Sequence, residues 1–289
     1  MHSPIDLHSH SNCSDGCLSP DRLVARAVDC GVAMLALTDH DTTDGLPAAQ
    51  QAASDHGLCL VPGVELSVNW GKQPLHIVGL GFDAASPAIQ DAIDRNTAER
   101  EERAGRIARR LEKAGIPESL AGAQGEAGEG APGRMHFARY LVNTGVVARH
   151  QDAFRRYLGR GKPAAVASHW IDLETGVAAI RAAGGVAVFA HPLRYGMTRT
   201  RCREAVAAFA ADGGEAIEVV GGTDGPNDRS AAMALARRQG LLASLGSDFH
   251  DPEFPWRDLG WLKPLPQEAA PVWDRLDPAI AEHARAVLA

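Results

Sequence analysis

The chain has 289 residues, 45% of them hydrophobic, with a net charge of −7. That is ample material for a core, and no apolar run approaches the ~18 residues of a membrane helix, so no membrane partner is expected. Charge is unevenly spread: residues 95–162 hold 14 Lys and Arg against 8 Asp and Glu, a net +6 that leaves −13 elsewhere, which points to a local anion site and away from a duplex-DNA coat.

In chain order, seven short apolar runs read as strands: Ile5–His8, Met34–Leu37, Cys59–Pro62, Leu75–Gly79, Val186–Ala190, Ala216–Val220 and Leu242–Leu245. Each is too short for a helix and is bounded by Gly, Pro or polar residues. Helices alternate with them. Pro20–Cys30 opens on Ser19-Pro20-Asp21, a cap followed by proline in the first turn. Leu46–His56 ends at Gly57, a C-cap. Further helices fall at Leu173–Ala183, Cys202–Ala211, Asn227–Gln239 and Pro278–Leu288.

The link from Phe82 to Gly185 is too long to remain structureless. It holds a long Arg/Glu helix (Ile89–Ala114), a flexible small-residue loop (Gly122–Gly133), and helical pieces at Arg134–Asn143 and Gln151–Leu158. Strand–helix alternation implies a parallel sheet. Candidate ligands follow nearly every strand, which favours an α/β ring of seven strands over an open sheet with one crevice. We therefore expect a barrel over 1–82 and 164–289, capped by a helical subdomain over 83–163.

The start Met1-His2-Ser3-Pro4 lacks a basic region followed by an apolar stretch, so no secretory leader is expected. Five thinly spread cysteines read as reduced thiols of a cytoplasmic protein. No obligate protein partner is evident.

The chemistry sits where the apolar runs end. Asp6, His8 and His10 alternate, so a strand would project them from one face. Asp248 and His250 repeat that spacing. Between them come Thr38-Asp39-His40, Glu65, His76 and His191-Pro192. Any one histidine is readily structural; the whole set is not. We expect His8, His10, Asp15, His40, Glu65, His76, His191, Asp248 and His250 to bind divalent ions. Imidazole with carboxylate suits Mn²⁺, Fe²⁺ or Zn²⁺. Nine ligands imply two or three ions, with Glu65 as the central bridge, and paired ions typically drive phosphoester hydrolysis. Asp6 and Asp39 are expected to orient ligands from behind, and Glu218 to play a supporting part.

These residues resemble the motifs of the PHP (polymerase and histidinol phosphatase) family, over residues 5–82 and 164–262. The resemblance implies a distorted (β/α)₇ barrel holding two or three divalent ions, usually Mn²⁺, and a phosphoesterase activity. Glu101-Glu102-Arg103, Gly133-Arg134-Met135-His136 and Leu158-Gly159-Arg160-Gly161-Lys162-Pro163 are similar to the stand-alone branch acting on 3′,5′-nucleoside bisphosphates and the 5′ ends of short RNA, with Met135 where that branch usually has proline. It implies substrate contacts from Arg103, Arg134 and His136. A guanidinium matches phosphate in two-point fashion, so Arg103 and Arg134 would clamp a second phosphate. Arg100, Arg103, Arg106 and Arg110 share one helix face, and for Arg106 and Arg110 a solvated, ion-paired face explains the spacing better. Asp15 or His40 would protonate the leaving oxygen, with His40 favoured.

Three rivals remain. A histidinol-phosphate-type phosphatase would share the barrel. A metal-dependent amidohydrolase also begins with His-x-His, but none of the lysines (Lys72, Lys113, Lys162, Lys263) ends a strand to bridge metals. A non-enzymatic metal-binding regulator predicts gaps in the ligand set, and there are none.

Overall fold

A computed structural model of the protein describes residues 2–128, 130–253 and 257–289. Seven strands follow one another around a single sheet in chain order: β1 (Ile5–Asp6), β2 (Met34–Leu37), β3 (Cys59–Trp70), β4 (Gln73–Leu80), β5 (Val186–Phe189), β6 (Ala216–Gly221) and β7 (Leu242–Gly246). The ring closes between its first and last members. Leu7 N–H donates to the Leu245 carbonyl at 3.1 Å, and Ser9 bridges Phe249. The result is a nearly closed α/β barrel of the expected class.

The sheet is not wholly parallel, and here the expectation is corrected. β4 runs antiparallel to both β3 and β5; the other pairs are parallel. The cause is local. β3 continues past Pro62 to Trp70, and Gly71-Lys72 turns it straight back into β4. A two-residue turn can only give an antiparallel partner, whereas a parallel one needs a crossover of a dozen residues or more. Glu65 is consequently mid-strand, and His76 reaches the ligand rim from the first half of β4, paired opposite Ser67.

Helices α1 (Pro20–Asp29) and α2 (Leu46–His56) bury Leu23, Val24, Ala49 and Ala53 against Leu35 and Leu37 of β2. Gly57 ends α2 at φ +68°, as its cap reading requires, while Ser19 makes no side-chain cap bond. After β4 comes α3 (Pro87–Lys113). Its first half gives Ile89, Ala92 and Ile93 to the barrel core; its second half packs Ala104, Ile107 and Leu111 into a separate cluster with Phe137 and Leu141. α4 (Ser119–Ala127), α5 (Arg134–Asn143), α6 (His150–Ala153) and a π-helical turn (Phe154–Leu158) complete that region.

The expected loop Gly122–Gly133 is therefore corrected in its first part, which is α4; residue 129 lies outside the described residues. The small residues serve packing: a Cβ on Gly122 would lie 2.1 Å from the Tyr140 ring of α5. The remaining helices are α7 (Leu173–Ala182), α8 (Arg199–Ala211), α9 (Pro226–Gln239) and α10 (Pro278–Leu288). No described helix is long and apolar enough to cross a membrane.

Ring closure depends on one glycine. A Cβ on Gly246 would lie 2.1 Å from His8 Cβ and 3.0 Å from its backbone nitrogen. Gly246→Ala should cost about 1–3 kcal/mol in denaturant unfolding, the range for overpacking, and lower divalent-ion affinity by shifting His8. An unchanged unfolding midpoint would show that β1 and β7 have slack.

Candidate metal centre

All nine expected ligands converge. Glu65 is fully buried at the centre. Its Oε2 lies 3.2 Å from His8 Nε2, 3.3 Å from His10 Nε2 and 3.0 Å from His40 Nδ1. Its Oε1 lies 2.9 Å from both His76 Nδ1 and His191 Nε2. Asp248 Oδ1 is 3.4 Å from His10 Nε2, and His250 Nε2 is 3.1 Å from Asp15 Oδ1. Three overlapping groups can each hold a cation: His10 with Asp15, His40 and His250; His8 with His10, Glu65 and Asp248; and His40 with Glu65 and His76.

The donor set fits divalent ions. His8 Nδ1 faces Glu218 Oε1 at 2.6 Å. That pairing keeps a proton on Nδ1, so the Nε2 proton is the one a bound cation would displace. Yet Nε2 stands 3.1 Å from His10 Nε2. Among the described residues, the buried Asp15 Oδ1 and Glu65 Oε2 accept no hydrogen bond. Buried acceptors facing one another are costly unless a cation lies between them.

Electrostatics agree. Burial would raise the Glu65 carboxyl, but the imidazoles of His76, His40 and His8 outweigh it and hold it well below the usual range. The same opposition keeps Asp15 and Asp248 low, with His250 the strongest neighbour of each. Burial lowers His8 and His10, but Glu218 and Glu65 raise His8 well above its ordinary value, and the nearby carboxylates of Asp248 and Glu65 bring His10 to about 9. Burial lowers His40 to about 4, against the pull of Glu65 and Asp15. Its neutral ring is the ligating form.

The supporting residues act through the backbone. Asp6 Oδ1 accepts the N–H groups of Ser247 (2.9 Å) and His8 (3.3 Å). Asp39 accepts Ser11 N–H at 2.7 Å and the Ser11 and Ser14 hydroxyls at 2.6 Å. Neither carboxylate hydrogen-bonds an imidazole; they fix the loops that carry His8, His10 and Asp15. Glu218 does hold a ring, and its Oε2 also accepts His191 N–H at 2.7 Å.

Several participants went unnoticed in the sequence. Asp41 accepts from Ser67, Asn96 and Arg100, joining β3 to α3. Arg194 Nη1 donates to Asp248 Oδ2 at 2.5 Å and Arg257 Nη1 to the same oxygen at 3.3 Å. Arg139 Nη2 holds the Asp15 carbonyl at 2.7 Å. Adjacency gave the available signals: Asp41 follows His40, and Arg194 stands three residues past His191. Asp41, His191 and Asp248 have φ of +51°, +28° and +56°, a strained region for non-glycine residues that costs on the order of 1–3 kcal/mol each.

The three expected substrate residues take different places. His136 lines the cleft with Asp15, His40 and Arg100, and its Nδ1 already accepts Gly133 N–H at 2.9 Å. Arg103 lies over Trp170, 5.4 Å from the ring centroid. Burial, then repulsion from Arg134 and Arg100, lowers its guanidinium to about 9, so it stays charged at neutral pH. Arg134, at the solvent-facing mouth, is crowded on its protein side; that desolvation and Arg100 lower it, while Asp15 opposes. Among the described residues neither arginine has a hydrogen-bond or carboxylate partner.

Comparisons with known proteins converge. A model of the PHP domain matches residues 6–116. The 5′-3′ exoribonuclease Rnm of Salmonella typhimurium is 46% identical over 270 residues, 93% of this chain and 92% of that protein. The 3′,5′-nucleoside bisphosphate phosphatase of Chromobacterium violaceum is 44% identical over 277 residues, 96% and 97% of the two chains. Among solved structures, an amidohydrolase from Chromobacterium violaceum with bound sulfate and no metal superposes with a TM-score of 0.90 at 42% identity, over 97% of each chain. A Bifidobacterium adolescentis protein assigned as a metal-dependent phosphoesterase gives 0.80 at 27% identity, over 98% of this chain and 95% of its own.

In chelated protein, protonated His8 and His10 contribute stability that is complete below their ordinary value of 6.5 and lost as pH rises through their raised values, about 9 for His10. Asp6 and His40 titrate at about 6 and 4, below that window. The melting temperature of chelated protein should therefore fall from pH 6.5 to 9. Added Mn²⁺ should flatten the fall, because a bound cation replaces the protons. A chelated protein that grows more stable over this range would refute the charge assignment.

Proposed function

The chain belongs to the PHP domain family and is a metal-dependent phosphoesterase, and on that premise we propose that it removes the 3′-phosphate of 3′,5′-nucleoside bisphosphates and also degrades short RNA from its 5′ end. One observation carries this reading: Arg103 and Arg134 are crowded together and, among the described residues, have no carboxylate partner, and Arg134 feels the charge of Asp15. Unpaired guanidiniums that repel one another are stabilised by an anion between them. A monophosphate has only the group that reacts. A second phosphate, three bonds or more away on the ribose, gives this pair something to hold. The names of the two relatives described above support both substrates.

In the proposed arrangement His8, His10, Asp15, His40, Glu65, His76, His191, Asp248 and His250 hold two or three divalent ions, with Mn²⁺ favoured over Fe²⁺ or Zn²⁺. When bound, such ions supply Lewis acidity at the phosphoryl group and a nucleophilic water at neutral pH. Arg103 and Arg134 clamp the remote phosphate and so orient the scissile one. His136 presents its free ring edge to the nucleotide. Asp15 and His40 line the open cleft; with Asp15 ionised and the His40 ring neutral, the leaving oxygen takes its proton from solvent water there. Residues 83–163 act as a helical cap on the barrel of 1–82 and 164–289. The free state of Cys13, Cys17, Cys30, Cys59 and Cys202 supports a cytoplasmic setting.

The test is phosphate release from adenosine 3′,5′-bisphosphate and from adenosine 3′-monophosphate with added Mn²⁺. Wild type should prefer the bisphosphate. Arg134→Ala should cut that preference ten- to a hundredfold, since a hydrogen bond to a charged group is worth about 1.5–3 kcal/mol. Turnover of histidinol phosphate with none of the bisphosphate would move the protein to that neighbouring branch. An unchanged preference in Arg134→Ala would remove the clamp.

A further inference from the structure

Beyond the cleft, α3 carries a second basic feature. Its last turns and the segment 166–169 enclose a cavity of about 370 Å³ lined by Arg106, Arg109, Arg110, Lys113 and His169, with no acidic residue among the described lining. The wall is rigid where it needs to be. Arg106 Nη2 donates to Glu99 Oε1 at 2.5 Å and to the Ala167 carbonyl at 3.3 Å; Arg110 Nη1 donates to the Ala165 carbonyl at 2.5 Å. Glu99 also accepts His169 N–H at 2.8 Å. Arg109 and Lys113 are exposed and, among the described residues, make no hydrogen bond or ion pair. Half of this face is thus spent on positioning the loop, and half is left free.

We propose that this cavity binds the sugar–phosphate backbone of RNA downstream of the nucleotide held in the cleft. The inference rests on the RNA arm of the function proposed above. Three observations carry it. First, the basic face is continuous with the substrate clamp, because Arg103 and Arg100 stand on the same helix about one and two turns before Arg106. Second, the distance suits a strand. Arg103 to Arg110 is seven residues, or ~10 Å along the helix axis, close to three stacked nucleotides at ~3.4 Å each. Third, the rest of the chain is acidic, at −13 outside residues 95–162, so a polyanion would be repelled without such a strip. A cavity lined by cations reads backbone charge and not base identity.

The experiment compares wild type with Arg109→Ala/Lys113→Ala on adenosine 3′,5′-bisphosphate, a 5′-phosphorylated dinucleotide and a 5′-phosphorylated octanucleotide. On the octanucleotide we expect kcat/KM to fall at least tenfold at low salt. The slope of log kcat/KM against log salt should become shallower by about 1.4, from two lost contacts at ~0.7 each for a single strand. The bisphosphate and dinucleotide should be unaffected, and Arg109→Lys/Lys113→Arg should restore octanucleotide turnover. Equal loss on all three substrates, or none on the octanucleotide, overturns the proposal. If wild type releases phosphate from the bisphosphate but leaves the octanucleotide intact, the track is overturned while the phosphatase reading stands.

Discussion

One carboxylate organises this molecule. Glu65 has no solvent to share its charge with, and His8, His10, His40, His76 and His191 all present ring nitrogens to it within 3.3 Å. A buried anion is tolerable only when compensated. Here the compensation must come from protons on the imidazoles or from cations among them. Either way, the ends of β1, β2 and β5 and the middles of β3 and β4 are tied to a single point. The barrel supplies the convergence, and the charge balance at Glu65 makes that convergence worth its strain.

The strain is visible and local. His191 and Asp248 occupy left-handed backbone conformations that glycine would adopt more readily. Both are held from behind, His191 by the Glu218 carboxylate at its N–H and Asp248 by Arg194 and Arg257. Glu218 also fixes the His8 ring, so one buried acid on β6 aligns ligands from two other strands. Such sharing makes the site stiff. Moving one ligand disturbs the hydrogen bonds of another, which is how a metal centre holds its geometry against thermal motion.

Around that stiff centre, charge is divided by role. The barrel rim is acidic and attracts cations; the segment between β4 and α7 is basic and faces anions. α3 joins the two. Its first half is packed into the barrel core, its second half into the core of the 104–164 region, and Arg100 is tied to Asp41 between them. A phosphorylated substrate entering the cleft would thus meet the candidate metal ligands on one side and guanidiniums on the other, on elements joined through α3.

Much of this was legible in the sequence. Short apolar runs gave strand positions because each is buried on both faces. The alternate spacing in Asp6-x-His8-x-His10 and Asp248-x-His250 exposed the ligands, since few structural roles demand imidazole and carboxylate where strand after strand ends. The hairpin of β3 and β4 was hidden, because Pro62-Gly63 reads as a strand end even though Val64, Leu66 and Val68 alternate with Glu65, Ser67 and Asn69 beyond it. α4 was hidden by its two glycines, of which Gly122 serves contact with Tyr140 rather than flexibility. The sequence by itself determined the set of candidate ligands that the fold brings together, the barrel class and the basic segment, for these follow from residue type and local period. Only the tertiary structure decided that Asp6 and Asp39 brace backbone instead of rings, that Arg194, Arg257 and Glu218 hold the site, and that Arg103 and Arg134 have no hydrogen-bond or carboxylate partner among the described residues. Those facts depend on which distant side chains meet, and no local pattern carries that.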